Sequence, residues 1–305
     1  MTRERKPLEA KPLEEAGQSP ALVSPDRGDL AAGLYILATP IGNARDISLR
    51  ALHILKACDV IAAEDTRVTA KLLAIHGISK PLMAYNDHNG QQMRPKILAR
   101  LERGEIVVLV SDAGTPLVSD PGFKLVREAV GAGAPVIAVP GPSAVLAGLT
   151  LSGLPSDRFL FAGFLPAKAG ERKSALAELG GVRATLIFFE SAQRLAESLA
   201  AMAESWGDRP AAVARELTKL HEEVRRGSLC ALAAHYAKAG APKGEVTLLV
   251  GGAAETTTDR TKIDSALKAA LAFMPVKAAA DMIANLTDGS RKKIYARALE
   301  LKDEG

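Results

Sequence analysis

Three apolar, β-branched runs of this chain each end in a loop of glycine, proline and small polar residues. The runs occupy residues 36–38, 107–110 and 136–139, and the loops that follow them occupy 39–43, 111–116 and 140–143. Because helix-like segments separate the runs, the strands should be parallel, with their carboxyl ends at one edge of a sheet. Ligands of open α/β sheets bind outside that edge. The three loops therefore predict a floor of backbone N–H and C=O groups around a small molecule.

The same loops exclude several common ligands. No stretch reads Gly-x-x-x-x-Gly-Lys-Ser/Thr, and the first loop has only Gly42 where a dinucleotide fold has three spaced glycines. No lysine or arginine occurs in the loops, the first being Arg45, so a phosphate lacks an obvious counter-charge. A ligand held by backbone groups and the Asp112 carboxylate should be neutral or positive at its centre, which suggests S-adenosylmethionine.

Ordered strings along the chain resemble one known superfamily. They occupy residues 34–43, 62–67, 111–116, 119–122, 153–159, 163–166, 189–191, 214–219 and 243–245. Together they closely resemble the tetrapyrrole-methylase superfamily, and within it the branch that 2′-O-methylates a cytidine of small-subunit ribosomal RNA. The resemblance covers roughly residues 33–300. It implies two α/β domains with the cofactor cleft between them, and a homodimer.

Composition along the chain predicts four parts. We expect a disordered arm over 1–32, which is rich in Lys, Glu, Pro and Ala, a five-stranded α/β domain over 33–154, and a second α/β domain over 155–255. A small helical module should follow over 256–305, with breaks at Pro275 and 287–290.

Helix starts and a buried helix face are also predicted for the first domain. Asp46 should cap a helix, and Asp120 with Pro121 should begin another. The buried face of the first of these helices should consist of Ile47, Ala51, Ile54 and Cys58.

Bulk properties narrow the class of protein only slightly. A net charge of +4 permits RNA binding without showing it, and 4% aromatic residues leave few stacking platforms for single strands. Cys58 and Cys230 should be buried free thiols. The uncharged stretch 129–156 is divided by prolines and glycines into strand, loop and helix, so we expect no membrane span. The N-terminus has no apolar signal core, which predicts a cytoplasmic protein.

The cofactor-binding residues follow from the resemblance alone. In the first domain they are Pro40, Asp112, Gly114, Thr115, Leu117, Val118, Ser143 and Ala144, and in the second they are Phe189, Glu190, Leu217, Gly244, Glu245 and Val246. The loop at 140–144 is not a hydrolase nucleophile elbow, because Val145 stands where that motif has glycine.

Catalysis is assigned to Asp112, Glu64 and Arg67. A carboxylate beside an arginine can orient or deprotonate a ribose hydroxyl, although Glu64–Arg67 also reads as an ordinary helix start. His88 is either a general base or part of a polar turn. No metal site is expected, because Arg225 replaces the second histidine of a zinc motif that would begin at His221.

A basic cluster near the C-terminus is a candidate RNA contact. It consists of Arg291, Lys292, Lys293 and Arg297, and its alternative interpretation is a solvated helix face.

The function that the resemblance implies is 2′-O-methylation, by S-adenosylmethionine, of a cytidine in the 16S rRNA of the small ribosomal subunit. Carbon methylation of a porphyrin precursor is a rival within the superfamily, but Gly114-Thr115-Pro116 replaces the Gly-Asp-Pro loop of that branch. Diphthamide modification is a second rival. A non-catalytic RNA-binding assembly factor is a third, which cofactor turnover would distinguish.

Overall fold

The computed structural model describes residues 30–254, 257–287 and 289–303, and its contacts divide the chain into the units Met1–Ala144 and Val145–Gly305. Most of the arm expected over 1–32 lies outside the described residues. The helix Ala144–Ser152 falls almost wholly in the second unit, because Gly148 packs against Thr247. A Cβ on Gly148 would lie 3.0 Å from Cγ2 of Thr247. The division therefore comes before the boundary expected at 154.

A five-stranded parallel sheet forms the frame of the first unit. Its strands are β1 (Gly33–Leu37), β2 (Val60–Ala63), β3 (Leu82–Ala84), β4 (Ile106–Val110) and β5 (Val136–Val139), in the order β3-β2-β4-β1-β5. The helices are α1 (Leu49–Ala57), α2 (Thr66–Ile75), α3 (Gly90–Glu102) and α4 (Phe123–Gly131). All four strand pairs are parallel, which confirms the predicted common edge.

The centre of this sheet is apolar on both faces, as a parallel sheet covered by helices requires. All five residues of β4 are buried. Successive side chains of a strand point to opposite faces, so Val107 packs in one cluster with Leu34 and Val108 packs in another with Tyr35.

Both predicted helix starts were wrong, although the predicted helix face was right. Ser48 rather than Asp46 caps α1, its hydroxyl accepting the Ala51 N–H at 3.0 Å, while Asp46 ends a short 3-10 turn. The predicted face of Ile47, Ala51, Ile54 and Cys58 is buried. Helix α4 begins at Phe123 with Gly122 as its N-cap, so Asp120 does not cap this helix.

The second unit contains a mixed sheet. Its strands are β6 (Phe159–Phe164), β7 (Thr185–Ser191), β8 (Pro210–Arg215), β9 (Glu223–Ser228) and β10 (Glu245–Val250), in the order β6-β7-β10-β8-β9. Only β6 and β7 pair in parallel, and the other neighbours are antiparallel. The helices are α5 (Ala144–Ser152), α6 (Ala169–Leu179), α7 (Leu195–Trp206) and α8 (Leu229–Ala239).

Three helices complete the second unit, as the sequence predicts. They are α9 (Thr257–Leu271), α10 (Val276–Thr287) and α11 (Arg291–Asp303), and Pro275 lies in the first break between them. Leu267, Ile283 and Ile294 form the centre of their shared core.

The two cysteines differ in exposure. Cys58 is a buried free thiol, as expected, but Cys230 is exposed on α8, where its backbone N–H donates to Asp208 at 2.9 Å. The segment 129–156 forms strand, loop and helix as predicted. Within the described residues, every helix is too short or too polar to cross a membrane.

Candidate functional site

Hydrogen bonds connect the three loops at the carboxyl edge of the first sheet. Thr39 N–H donates to the Gly114 carbonyl at 2.8 Å, and Gly114 N–H donates back to Thr39 at 3.0 Å. The Thr115 hydroxyl donates to the Pro142 carbonyl at 3.2 Å. Pro40 directly follows the first of these residues, and Ser143 and Ala144 directly follow the last. The sequence-predicted residues of the first unit are thus collected on one connected edge.

Two of these loops have no room for larger residues. Gly114 has a φ of +81°, and a Cβ there would lie 3.3 Å from Cγ2 of Ile41. A Cβ on Gly141 would lie 3.1 Å from Cβ of Ala38. At Gly114 the backbone therefore has a conformation that glycine permits, and at Gly141 a side chain would crowd Ala38.

Two carboxylates link the ends of β2 and β4. The Asp65 N–H donates to Oδ1 of Asp112 at 3.0 Å, and the Asp112 N–H approaches Oε2 of Glu64 at 3.5 Å. This reciprocal arrangement fixes both carboxylates, because each backbone is tied to the other strand's acidic side chain. The geometry brings together two of the three residues predicted to be catalytic.

The carboxyl groups of this cluster have raised pKa values. Loss of solvation raises the pKa of Glu64, and the charges of Asp120 and Asp112 raise it further. Burial also raises the pKa of Asp120, and loss of solvation raises that of Asp112. Sequence reasoning missed Asp120 because it assigned that residue to a helix cap. A carboxylate with a raised pKa is a better proton acceptor near neutral pH.

Arg67 interacts with a different carboxylate. Its Nη2 lies 2.5 Å from Oδ2 of Asp65, and its backbone N–H also donates to that side chain at 2.8 Å. The hydrogen bonds from Arg67 hold the pKa of Asp65 at about 2. The guanidinium side chain is 86% exposed, so the pair orients the start of α2 at the surface.

Backbone strain is concentrated in two loops that the resemblance also selects. Among the described residues, the positive-φ positions other than glycine are Leu117, Ser119, Glu216 and Thr218, at +73°, +65°, +50° and +65°. Such conformations are costly for residues with a Cβ and occur preferentially at functional sites. No sequence pattern reveals them, because none of these four residue types favours a left-handed backbone.

In the second unit, a lysine holds the loop after β8 against the start of β10. Lys219 Nζ lies 2.8 Å from Oε1 of Glu216 and 3.0 Å from Oε2 of Glu245. The Glu245 N–H donates to Glu216 at 3.3 Å, and the hydrogen bond from Lys219 lowers the pKa of Glu216. Leu217, which lies between Glu216 and the next strained residue, is buried. These contacts bring residue 217 close to the predicted segment 244–246.

The remaining predicted residues of this unit lie beside that segment. Strand β7 pairs with β10 so that Glu190 is opposite Val246 and Phe189 is opposite Thr247. The Glu190 carboxylate is buried and accepts hydrogen bonds from the Ser198 hydroxyl at 2.5 Å and the Ser191 N–H at 2.8 Å. The Glu190 carboxylate is therefore stabilised by hydrogen bonds from residues of its own unit.

Two arginines of the basic cluster are engaged within the C-terminal helices. Arg291 Nε lies 2.5 Å from Asp281, and Arg297 Nη2 lies 2.7 Å from Asp264. Both pairs join α11 to a neighbouring helix. Lys292 and Lys293 are exposed on α11.

His88 is in a polar turn, the second of its two interpretations. Asn86 Oδ1 accepts the backbone N–H groups of His88 and Asn89, both at 3.2 Å. In the described part of the chain, no group of three acidic, histidine or cysteine side chains is arranged to hold a metal ion.

Two family models and several curated proteins match nearly the whole described chain. The family model for Tetrapyrrole (Corrin/Porphyrin) Methylases matches residues 33–233, and the model for the RsmI C-terminal HTH domain matches 257–302. The Ribosomal RNA small subunit methyltransferase I of Mesorhizobium japonicum is 54% identical over 275 residues, covering 90% of this chain and 94% of that protein. The protein of the same name from Erythrobacter litoralis is 54% identical over 273 residues, covering 90% and 96%.

A solved structure shares the fold. Uroporphyrin-III C-methyl transferase from Thermus thermophilus, complexed with S-adenyl homocysteine, matches with a TM-score of 0.52 and 20% identity. The match covers 71% of this chain and 96% of that chain. At this identity the likeness describes the fold alone.

Proposed function

Because this chain belongs to the tetrapyrrole methylase family, we propose that it methylates small-subunit ribosomal RNA with S-adenosylmethionine as methyl donor. The observation that carries the proposal is the 54% identity to ribosomal RNA small subunit methyltransferase I over 90% of the chain, which includes the C-terminal helices. The acceptor we propose is the 2′-hydroxyl of a cytidine.

The loop edge of the first unit fits this methyl donor. Gly114 and Gly141 keep side-chain atoms away from a floor of backbone groups, since a Cβ on either would crowd Ile41 or Ala38. The sulfonium centre is positive, and Asp112 places a negative charge on the same edge. The proposed contacts are Pro40, Asp112, Gly114, Thr115, Leu117, Val118, Ser143 and Ala144. In the second unit they are Phe189, Glu190, Leu217, Gly244, Glu245 and Val246.

Catalysis then consists of positioning and removal of one proton. When bound, the cofactor supplies a methyl group whose bond to sulfur breaks as the acceptor oxygen attacks it. A ribose hydroxyl is a weak nucleophile, so a carboxylate that takes its proton should accelerate transfer. We assign this role to Glu64, whose raised pKa suits it, with Asp112 as orienting partner. Arg67 fixes the neighbouring Asp65.

The partner we propose is the small ribosomal subunit, which would place the protein in the cytoplasm. Structured RNA is recognised largely by shape, which requires few aromatic side chains. The exposed Lys292 and Lys293 are proposed phosphate contacts, whereas Arg291 and Arg297 would support them through their ion pairs. A homodimer is proposed from the resemblance, and light scattering of the purified protein would test it.

Two measurements test the proposal. Calorimetry should show binding of S-adenosylmethionine without added metal, and binding of NAD or ATP in its place would refute the cofactor. Incubation with labelled cofactor and small subunits from a strain lacking the gene, followed by nucleoside mass spectrometry, should give 2′-O-methylcytidine. Label on a base, on protein, or only on a porphyrin precursor would refute the acceptor.

Two substitutions test the catalytic assignment. Glu64→Gln should abolish transfer while preserving cofactor affinity, and Asp112→Asn should reduce transfer with a smaller effect on affinity. Full transfer by both variants would leave positioning as the whole mechanism.

A further inference from the structure

A cavity with a mainly apolar lining and several charged side chains lies in the second unit, beside the proposed cofactor segment 244–246. It has a volume of about 560 Å³ and is bounded by the end of β8, by β9 and by the end of α8. Its charged lining includes Arg215, Glu223, Arg225 and Lys243. Nothing in the proposed methyl transfer uses this cavity.

The charges of the lining do not cancel. The Glu223 carboxylate forms ion pairs with Nη2 of Arg215 and Nη2 of Arg225, each at 2.9 Å, so two guanidinium groups share one carboxylate. These hydrogen bonds lower the pKa of Glu223, which keeps it ionised. Glu216 also lines the cavity, and Lys219 is shared between Glu216 and Glu245. Three cations against two carboxylates leave the lining with an excess of one positive charge.

Lys243 is one of the three cations of this lining. This lysine is exposed, and its side chain has no ion pair among the residues that the structure describes. By contrast, its carbonyl accepts Nη1 of Arg215 at 3.2 Å, which fixes the lysine backbone at the rim. Arg225 is 42% exposed and has donors left beyond its ion pair with Glu223 and its hydrogen bond with Tyr236. Two cationic side chains are thus available to one incoming anion.

One wall of the cavity is aromatic. Tyr236 is buried, and His235 packs against it edge to face with ring centroids 4.9 Å apart. A guanidinium fork and an ammonium are the groups with which proteins bind phosphate oxygens, whereas a neutral ligand would leave their charges uncompensated.

Strand alternation separates this cavity from the other face of the sheet. Glu223 and Arg225 point toward α8, whereas Arg226 points to the opposite face and donates to the Leu151 carbonyl of α5 at 3.0 Å. Consequently Arg225 can be changed without disturbing the contact that β9 makes with α5.

We propose that this cavity binds a backbone phosphate of the RNA substrate, with Arg225 and Lys243 as its ligands. The proposal rests on the proposed function for the identity of the substrate. The phosphate would be sequence-independent, so it would set the affinity and register of the RNA rather than the choice of nucleotide.

The test compares Arg225→Gln/Lys243→Gln with Lys238→Gln, an exposed lysine of α8 outside the cavity lining. The cavity variant should raise the KM for small subunits about tenfold with kcat unchanged. The slope of log affinity against log salt should fall by about one for each lost contact. Lys238→Gln, the control, should change the KM less than about twofold. Lys243→Arg keeps the positive charge, so its KM should stay close to that of the wild type.

Cofactor affinity and thermal unfolding serve as internal controls. An unchanged Kd for S-adenosylmethionine shows that the nearby 244–246 segment is intact. If the wild type methylates small subunits and the cavity variant has the same KM and salt slope, the phosphate site is refuted while the proposed function stands. Weaker binding of inorganic phosphate or AMP with unchanged affinity for RNA would also refute it, in favour of a free phosphate ligand. If the wild type methylates no RNA, the proposed function itself fails.

Discussion

Gly244 is a residue at which one added methyl group should have a measurable effect on stability and on cofactor binding. Its φ is +92°, and a Cβ built there would overlap the carboxyl end of Glu216 and lie 2.5 Å from Cγ of that residue. Glu216 cannot move without cost, because it accepts from Lys219 at 2.8 Å and from the Glu245 N–H at 3.3 Å. Gly244→Ala therefore forces a strained backbone and displaces this carboxylate.

The expected cost has two parts. A left-handed alanine costs about 1 kcal/mol. Loss of the partly exposed contacts of Glu216 costs about 1 kcal/mol more. The free energy of unfolding should therefore fall by about 2 kcal/mol. Gly133→Ala is the control, because Gly133 has a φ of +73° at the end of α4 but its Cβ would meet no atom within 4 Å. That variant should lose only the backbone part, about 1 kcal/mol.

Urea unfolding of both variants, followed by circular dichroism, measures this difference directly. Calorimetry with S-adenosylmethionine should also show weaker binding for Gly244→Ala and wild-type binding for Gly133→Ala. Equal destabilisation of the two variants would refute the role assigned to Glu216. Unchanged cofactor affinity in Gly244→Ala would remove this segment from the proposed site.

Three further predictions concern the helix cap and the ionisable groups. Ser48→Ala should destabilise the protein by about 1 kcal/mol in urea unfolding, whereas Asp46→Ala should have little effect, and the reverse order would restore the cap predicted from sequence. Glu64→Gln should stabilise the fold at neutral pH, because the raised pKa of Glu64 means that its ionisation costs stability there. The gain should vanish as unfolding is measured below the ordinary glutamate pKa, and a loss of stability at pH 7 would contradict it. Hydrogen bonds from Arg297 lower the pKa of Asp264, so this pair should add stability above the ordinary aspartate pKa and lose it as pH falls through the lowered value. Asp264→Asn should remove that acid sensitivity, at a cost below about 1 kcal/mol at pH 7, and unchanged acid unfolding would refute the pair's contribution.

Apolar periodicity predicted the elements that are buried, and local chemistry predicted their ends poorly. The parallel strands β1, β4 and β5 were predictable because their residues form continuous apolar runs, and those of β1 and β4 are buried on both faces. The start of α1 was not, because Asp46 and Ser48 are both good capping residues two positions apart and only the path of the chain decides between them.

The proximity of Glu64 and Asp112, the proposed catalytic pair, could be predicted only with knowledge of the strand order. Glu64 and Asp112 are adjacent because β2 lies beside β4, with Ala63 opposite Val110. Residues that follow the two strands therefore meet at the sheet edge. The sequence indicates that the strands are parallel, but it does not indicate that β2 pairs with β4, since that order results from the packing of the intervening helices.

Strand β9 shows why the phosphate cavity could not be found from sequence patterns. Its residues are mainly polar, with three glutamate or arginine side chains and Val224 as the only apolar one. As an edge strand it has one neighbour, β8, so it needs little apolar surface to be stable. A search for apolar runs does not detect β9, because its residues are charged. Two of those charged residues, Glu223 and Arg225, line the cavity. An edge strand is suited to such a site, because its alternation presents Arg225 to a ligand while Arg226 anchors the opposite face.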